Sequence, residues 1–335
     1  MFLNRVLFIA LAALFLLWPF EQSRALFGIS ARKAQNQMLS QAQEAYDDAQ
    51  YKRVEELGKE FLLKYPSASK KRLKTMYLLL GDSYKERGQY DKALLTYNEA
   101  AEFLPKDEDV NLALGGIYLI GGLTDNAKDI FRKVLEINKE NKDALLGMAR
   151  AYYEEGLFSR ANVFFEYYRQ AGGEEISGPF FYYYAMSQYL ADNQDEALDL
   201  ALKALSAEET ADTLFLLAKI YRNGDDEENA WLYIDAALDK DPSRYDIYLT
   251  KALWLSFGTL EQNKQAEKMA DSILKKNSRD KLALFIKYLS LRKRGGDSAK
   301  AREYLRTIMS MEGDQLMDKM AAKLYYMDMN GKTLK

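Results

Sequence analysis

The sequence predicts an all-α solenoid built from antiparallel helix pairs. The main observation is an alanine that recurs at intervals of 33 to 36 residues along most of the chain, and a period of this size indicates stacked supersecondary units. Apolar residues follow a helical spacing twice within each period. The 335 residues include only 5 prolines, which favours long helices joined by short turns. The recurring alanines are Ala93, Ala127, Ala161, Ala197, Ala230, Ala266 and Ala301.

The chain begins with an apolar run that predicts a secretory signal. Residues 6–18 are apolar and Pro19 ends the run, which has the length of a signal-peptide core and is shorter than a membrane span. Ser23 and Ala25 supply the small residues of a signal peptidase site, so we expect a mature chain that starts at Leu26. The alternative is an uncleaved signal anchor. Since most nearby cations follow the apolar run, that alternative leaves the bulk of the chain facing the cytoplasm.

Residues 74–107 carry a known repeat signature in register, made of an aromatic residue, Leu-Gly, tyrosines, alanines and a final proline. This stretch resembles the tetratricopeptide repeat family. Weaker copies extend the resemblance over about residues 35–313, or about eight repeats. The resemblance implies a right-handed superhelix of helix pairs in which the first helix of each repeat lines a concave groove. The residues that carry the best match are Tyr77, Leu80, Gly81, Tyr84, Gly88, Tyr90, Ala93, Tyr97, Ala100 and Pro105.

The end of the chain predicts one more helix outside the repeats. Apolar residues from Leu316 to Tyr325 form one stripe, and Asn330 with Gly331 gives a stop signal. A solenoid needs an end piece that covers its last apolar face, so we expect a capping helix. The alternative is a helix that docks onto a partner or folds into the groove. The expected organisation is a signal peptide or anchor at 1–25, a linker at 26–34, the repeats at 35–313, and the capping helix with its tail at 314–335.

Composition excludes much of enzyme and metal chemistry. The chain has no His and no Cys, so it lacks imidazole bases, thiolate nucleophiles and the ligands of structural zinc sites. No motif supplies a catalytic constellation, and we expect no enzymatic activity, no metal and no cofactor. The formal net charge of −3 is not that of a dedicated nucleic-acid binder, so no nucleic-acid partner is expected.

The resemblance also implies which residues face a partner. The first-helix positions that point into the groove of the family are apolar here, which suits an amphipathic helix or an extended apolar peptide. The alternative is that these residues pack within a tightly wound superhelix or under the terminal helix. The candidates are Leu78, Leu112, Leu146, Tyr153, Tyr182, Met186, Tyr189, Phe215, Leu249 and Phe285.

Charge is unevenly distributed in the second half of the chain. Residues 192–246 hold 15 acids and 5 bases, whereas residues 264–306 hold 13 bases and 5 acids. Such asymmetry either steers a charged partner or reflects ordinary solvated helix faces. Arg292, Lys293 and Arg294 form a candidate basic patch for an anionic lipid surface, although three charges bind weakly.

These observations together predict a protein-interaction scaffold at the bacterial cell envelope, either periplasmic or attached to the membrane by its N-terminal segment. One alternative is a glycan-binding or polysaccharide-export accessory protein, because tyrosine rings stack on sugars and envelope members of the family often serve polysaccharide export. Another is an accessory subunit that positions a catalytic partner. The sequence does not indicate an oligomeric state. Replacing Tyr182 and Phe215 by serine is expected to abolish partner recruitment while helicity is kept.

Overall fold

The computed structural model describes residues 30–173, 178–296 and 298–329. All regular secondary structure within these ranges is helical. Helix α1 covers residues 30–47. The other helices are α2 (Tyr51–Lys64), α3 (Lys70–Glu86), α4 (Tyr90–Phe103), α5 (Glu108–Ile120), α6 (Thr124–Ile137), α7 (Lys142–Glu154), α8 (Phe158–Gln170), α9 (Gly178–Leu190), α10 (Gln194–Ala207), α11 (Ala211–Asn223), α12 (Glu227–Lys240), α13 (Tyr245–Phe257), α14 (Leu260–Lys276), α15 (Lys281–Lys293), α16 (Ser298–Met309) and α17 (Gln315–Met329).

Sharp turns join the two helices of a pair. Gly88, Gly122 and Gly156 lie 34 residues apart and have φ values of 68°, 69° and 73°, a left-handed conformation that glycine adopts without steric cost. Asp192 and Asp225 adopt the same conformation at the corresponding turns of later pairs. Aspartate tolerates this region better than most residues. The turn between the two helices of a pair therefore keeps this conformation where the repeat signature in the sequence weakens.

The chain divides into two compact units, Met1–Ile176 and Ser177–Lys335. In the first unit, α1 to α8 form four helix pairs among the described residues. Each helix from α2 onward packs on the next, and Ala42 and Ala45 of α1 share a core cluster with Val54 and Leu57 of α2. Ala93, Ala127 and Ala161 are fully buried where the second helix of a pair crosses its neighbours. Large side chains such as Tyr97 and Phe131 fill the space between these crossings. The recurring alanines are thus packing positions.

The second unit contains α9 to α17. Its first eight helices form four pairs, in which Ala197, Ala230, Ala266 and Ala301 are again fully buried. Helix α17 packs on α16, and its Ala321 and Leu324 complete the core cluster that includes Leu305 and Ile308. The fold is therefore an all-α arrangement of consecutive helix pairs with a capping helix, as expected from the sequence. No helix among the described residues combines the length and the apolar character needed to cross a bilayer.

Candidate partner-binding face

The ten residues proposed from the sequence all lie on the first helices of their pairs. These helices are α3, α5 and α7 in the first unit, and α9, α11, α13 and α15 in the second. Seven of the ten side chains are half-buried, so part of each reaches solvent. The half-buried residues are Leu78, Leu112, Leu146, Tyr153, Tyr182, Met186 and Tyr189.

Three of the candidates belong to the core. Phe215, Leu249 and Phe285 are 8%, 8% and 7% exposed, and each is part of a hydrophobic cluster of the second unit. Their packing explains their apolar character without a partner. The expectation that all ten line an open groove is therefore corrected for these three, because the helices that follow them cover their side chains.

In the first unit, three leucines lie on helices that touch one another. Leu78 on α3, Leu112 on α5 and Leu146 on α7 occupy corresponding positions of successive pairs, and α3 contacts α5 as α5 contacts α7. The ring of Tyr153 lies farther along α7, with its centroid 5.7 Å from that of Phe158. These four residues form the unit-1 face.

In the second unit, the half-buried candidates are concentrated on α9. Tyr182, Met186 and Tyr189 are spaced at i, i+4 and i+7, which places them on one side of the helix. Phe180 and Tyr184 are buried on the other side. Helix α9 therefore has one apolar side in the core and a second that is partly exposed. Tyr182, Met186 and Tyr189 form the unit-2 face.

A small cavity adjoins the start of this face. It has a volume of about 200 Å³, and Pro179, Tyr182 and Tyr183 of α9 lie opposite Thr210 and Asp212 at the start of α11. The rings of Tyr182 and Tyr183 meet edge to face, with centroids 5.5 Å apart. A cavity of this size accepts one side chain of a partner rather than a drug-sized ligand.

A lysine that is not among the residues predicted from the sequence lies beside the unit-2 face. The Nζ atom of Lys219 on α11 is 4.3 Å from the ring centroid of Phe215 and 6.0 Å from that of Tyr189. Burial lowers the pKa of Lys219, because an ammonium group loses hydration there. Asn223, one turn farther, donates a hydrogen bond of 3.1 Å from Nδ2 to the Tyr189 hydroxyl. The sequence shows only that Lys219 follows Phe215 by four residues, as Met186 follows Tyr182, and therefore shares a side of α11 with Phe215.

The proposed basic patch at the end of α15 is already engaged within the molecule. Nζ of Lys293 donates a hydrogen bond of 2.7 Å to the carbonyl oxygen of Phe257, at the end of α13. Arg294 forms an ion pair of 2.5 Å with Glu267 on α14. These contacts fix the ends of neighbouring helices and leave less charge for a lipid surface than the sequence indicates.

Two other predictions concern sites outside this face. Ser23 and Ala25 of the predicted cleavage site lie outside the described residues. Within the part of the chain that the structure covers, no three potential metal-ligating side chains come close enough to hold a metal ion.

Comparison with protein families identifies the repeat. The sequence matches a family described as TPR repeat at residues 81–122 and one described as tetratricopeptide repeat at residues 118–166. No curated protein is similar enough in sequence to be recognised as a relative.

Solved structures of similar fold include two with the same kind of helix-pair packing. One is the Cut9-Hcn1 hetero-tetramer of the APC/C, with a TM-score of 0.55 and 16% identity over 86% of this chain and 55% of that one. The other is PilF of Pseudomonas aeruginosa, with a TM-score of 0.55 and 16% identity over 64% of this chain and 96% of that one. This chain thus spans about half the length of the Cut9-Hcn1 chain that it matches. At such identities the likeness concerns the fold alone.

Proposed function

We propose that this chain, whose residues 81–166 match tetratricopeptide repeat families, acts as a non-catalytic scaffold that binds an apolar helix or an extended peptide of a partner protein. Binding uses the first helices of the pairs. The partner contacts the half-buried apolar side chains of the unit-1 face, the unit-2 face, or both.

The observation that carries this proposal is the double-sided apolar character of α9. One side supplies Phe180 and Tyr184 to the core, whereas Tyr182, Met186 and Tyr189 remain half-exposed. Tyrosine and methionine are enriched where proteins recognise partners, because they offer large contact areas with little loss of conformational entropy or with adaptable shape. The adjoining cavity of about 200 Å³ gives one anchor side chain a place to bury.

We place this activity at the bacterial cell envelope. The support is the apolar run at residues 6–18 with Ser23 and Ala25 behind it, which has the order of an export signal. In this proposal the chain is periplasmic after cleavage, or remains attached to the membrane by the same segment. The cytoplasm-facing anchor is the competing arrangement.

The test is photo-crosslinking in the native host. Tyr182 is replaced by p-benzoylphenylalanine, and the same probe is placed at Leu232 as a matched control, because Leu232 is 61% exposed on α12 and lies away from the unit-2 face. A polypeptide captured from position 182 but not from position 232 supports the scaffold. Equal labelling from both positions, or labelling of the chain itself alone, contradicts it.

The same experiment separates the alternatives. A captured product that resists protease and contains sugar indicates the glycan-binding function, with the tyrosine rings as stacking surfaces. Capture of an enzyme indicates an accessory subunit that positions a catalytic partner. Mass spectrometry of the N-terminus tests export, and a start at Leu26 supports the periplasmic location.

A further inference from the structure

Lys219 places a positive charge beside two aromatic rings of the second unit. Its Nζ atom lies over the face of Phe215 at 4.3 Å and within 6.0 Å of the Tyr189 ring. The aromatic faces offset part of the cost of removing an ammonium group from water. They do not replace the ion pair that buried cations normally have.

The carboxylates near Lys219 are bound to another cation. Asp246 and Asp212 are the acids whose charges favour the charged form of Lys219. Arg244 donates to Asp212 over 2.7 Å and to Asp246 over 2.8 Å. No described carboxylate lies within ion-pair distance of the Lys219 ammonium. Its environment therefore contains two acids and one other base, with both acids engaged.

Other lysines on first helices of the second unit are partnered. Lys251 on α13 forms an ion pair with Asp235 of the preceding helix. Lys287 on α15 pairs with Glu267 at 2.9 Å and Asp271 at 2.8 Å. Both lie two residues after the groove position of their helix. Lys219 lies four residues after that position, beside the half-buried Tyr189.

We propose that Lys219 binds a carboxylate of the partner, so that the segment recognised by the unit-2 face is apolar with one aspartate or glutamate beside Tyr189. This inference rests on the proposed function. The ammonium supplies charge complementarity, and Phe215 and Tyr189 exclude water from the resulting ion pair, which strengthens it.

The carboxylate belongs to a side chain rather than to the end of the partner chain. Aromatic side chains from two helices adjoin Lys219, with Phe215 one turn earlier on α11 and Tyr189 on α9. Capture of a chain terminus needs several donors around one carboxylate, and Asn223 of the same helix already donates to Tyr189.

The test uses phage-displayed random peptides of twelve residues selected on the full-length chain. We expect the enriched peptides to have an acidic residue flanked by apolar ones. The Lys219→Glu variant is expected to enrich a basic residue at that position, and Lys219→Met is expected to lower the affinity of the wild-type peptides by at least about tenfold. Lys203→Glu is the matched control, because Lys203 lies on α10 and pairs with Asp199 at the surface.

The outcomes separate this inference from the function on which it rests. The role of Lys219 is overturned if the selected peptides are apolar without a charge preference, or if wild type and Lys219→Glu select the same peptides. Either result leaves the scaffold intact. A preference for a free peptide C-terminus, measured by amidating the selected peptides, overturns the assignment to a side chain. Failure to enrich any peptide contradicts the scaffold as well. Thermal unfolding of each variant excludes loss of folding as the cause.

Discussion

Phe131 occupies the space that a side chain at Gly147 would need. A Cβ atom built on Gly147 lies 2.5 Å from the ring of Phe131, and one built on Gly115 also lies 2.5 Å from it. The Phe131 ring belongs to α6, the second helix of its pair. It therefore lies between α5, the first helix of the same pair, and α7, the first helix of the next pair. This contact links successive pairs within the first unit, and it depends on two positions without side chains.

Substitution of Gly147 by alanine is predicted to destabilise the first unit. The added methyl group overlaps the Phe131 ring, and overpacking of this kind costs about 1–3 kcal/mol, which exceeds the gain in helix propensity of about 1 kcal/mol. Gly116→Ala is the matched control, because a Cβ at Gly116 meets no atom within 4 Å. We expect Gly116→Ala to raise the free energy of unfolding by up to about 1 kcal/mol. Urea unfolding measures both, and a stabilising Gly147→Ala would contradict the packing described.

Acid is predicted to weaken the contact between α2 and the end of α3 through Glu55. Its carboxylate pairs with Lys59 at 2.6 Å and with Arg87 at 2.5 Å, and these partners, with the Lys59 hydrogen bond first, lower its pKa from 4.5 to about 2. A lowered carboxyl pKa stabilises the fold above the unfolded value of 4.5 and loses that effect as the pH falls to about 2.

Glu55→Gln is therefore expected to cost about 1 kcal/mol at neutral pH, after allowance for solvent screening. The difference between variant and wild type is expected to vanish as the pH approaches 2. Denaturant unfolding at several pH values measures it. Glu60→Gln serves as the control, because Glu60 is 59% exposed and its contact with Lys64 is 3.9 Å. A constant difference across the acid range would contradict the role of Glu55.

Lys219→Met is predicted to stabilise the second unit while it weakens binding. Burial lowers the lysine pKa, so the charged form carries an unfavourable contribution at neutral pH. That contribution fades as the pH rises from the lowered pKa to the ordinary value of 10.5. We therefore expect Lys219→Met to raise the free energy of unfolding by about 1 kcal/mol at pH 7. A gain of this kind is typical where stability is sacrificed at a functional position.

Unfolding in urea at pH 7 and pH 10 checks this expectation. The gain from Lys219→Met is expected to be smaller at the higher pH, since the lowered pKa of Lys219 makes its deprotonation in the folded state easier than in the unfolded chain. The exposed Lys203→Met is the control and should change stability little at either pH. A Lys219→Met variant less stable than wild type would show that the ammonium is already satisfied in the folded chain.

The helix pairs were predictable because the packing positions repeat in the sequence. Alanine recurs at the helix crossing of seven described pairs, and three of these place Tyr97, Phe131 or Phe165 one turn later, so the spacing of these residues indicates the fold directly. The exposure of a side chain is harder to predict from the sequence, because it depends on how neighbouring helix pairs cover that side chain. Tyr182 and Phe215 occupy corresponding positions, yet the former is half-exposed and the latter is in the core. The environment of Lys219 depends on Tyr189 from another helix, so its position alone does not reveal it.

This difference in burial changes the experiment that best tests the binding face. Phe215→Ser is predicted to lower stability by about 3 kcal/mol or more, because it leaves a cavity among Leu214, Ala218 and Ile247. Loss of recruitment in a variant that includes this change would report unfolding as much as binding. Tyr182→Ser removes a half-exposed ring beside the cavity and is expected to cost less than about 1.5 kcal/mol.

We therefore expect Tyr182→Ser, alone or with Met186→Ser, to lower partner recruitment without a matching loss of helicity. The physical reason is that both side chains lose contact area with the partner and little area within the core. Circular dichroism during thermal unfolding and quantitative crosslinking from a probe at Tyr189 measure the two effects on the same variants. Leu232→Ser on α12 provides the control for loss of an exposed apolar residue. Full crosslinking yield from Tyr189 in the Tyr182→Ser, Met186→Ser variant would contradict a binding role for these two side chains, whereas no capture from Tyr189 even without these substitutions would leave Leu78, Leu112 and Leu146 of the unit-1 face as the surface to test next.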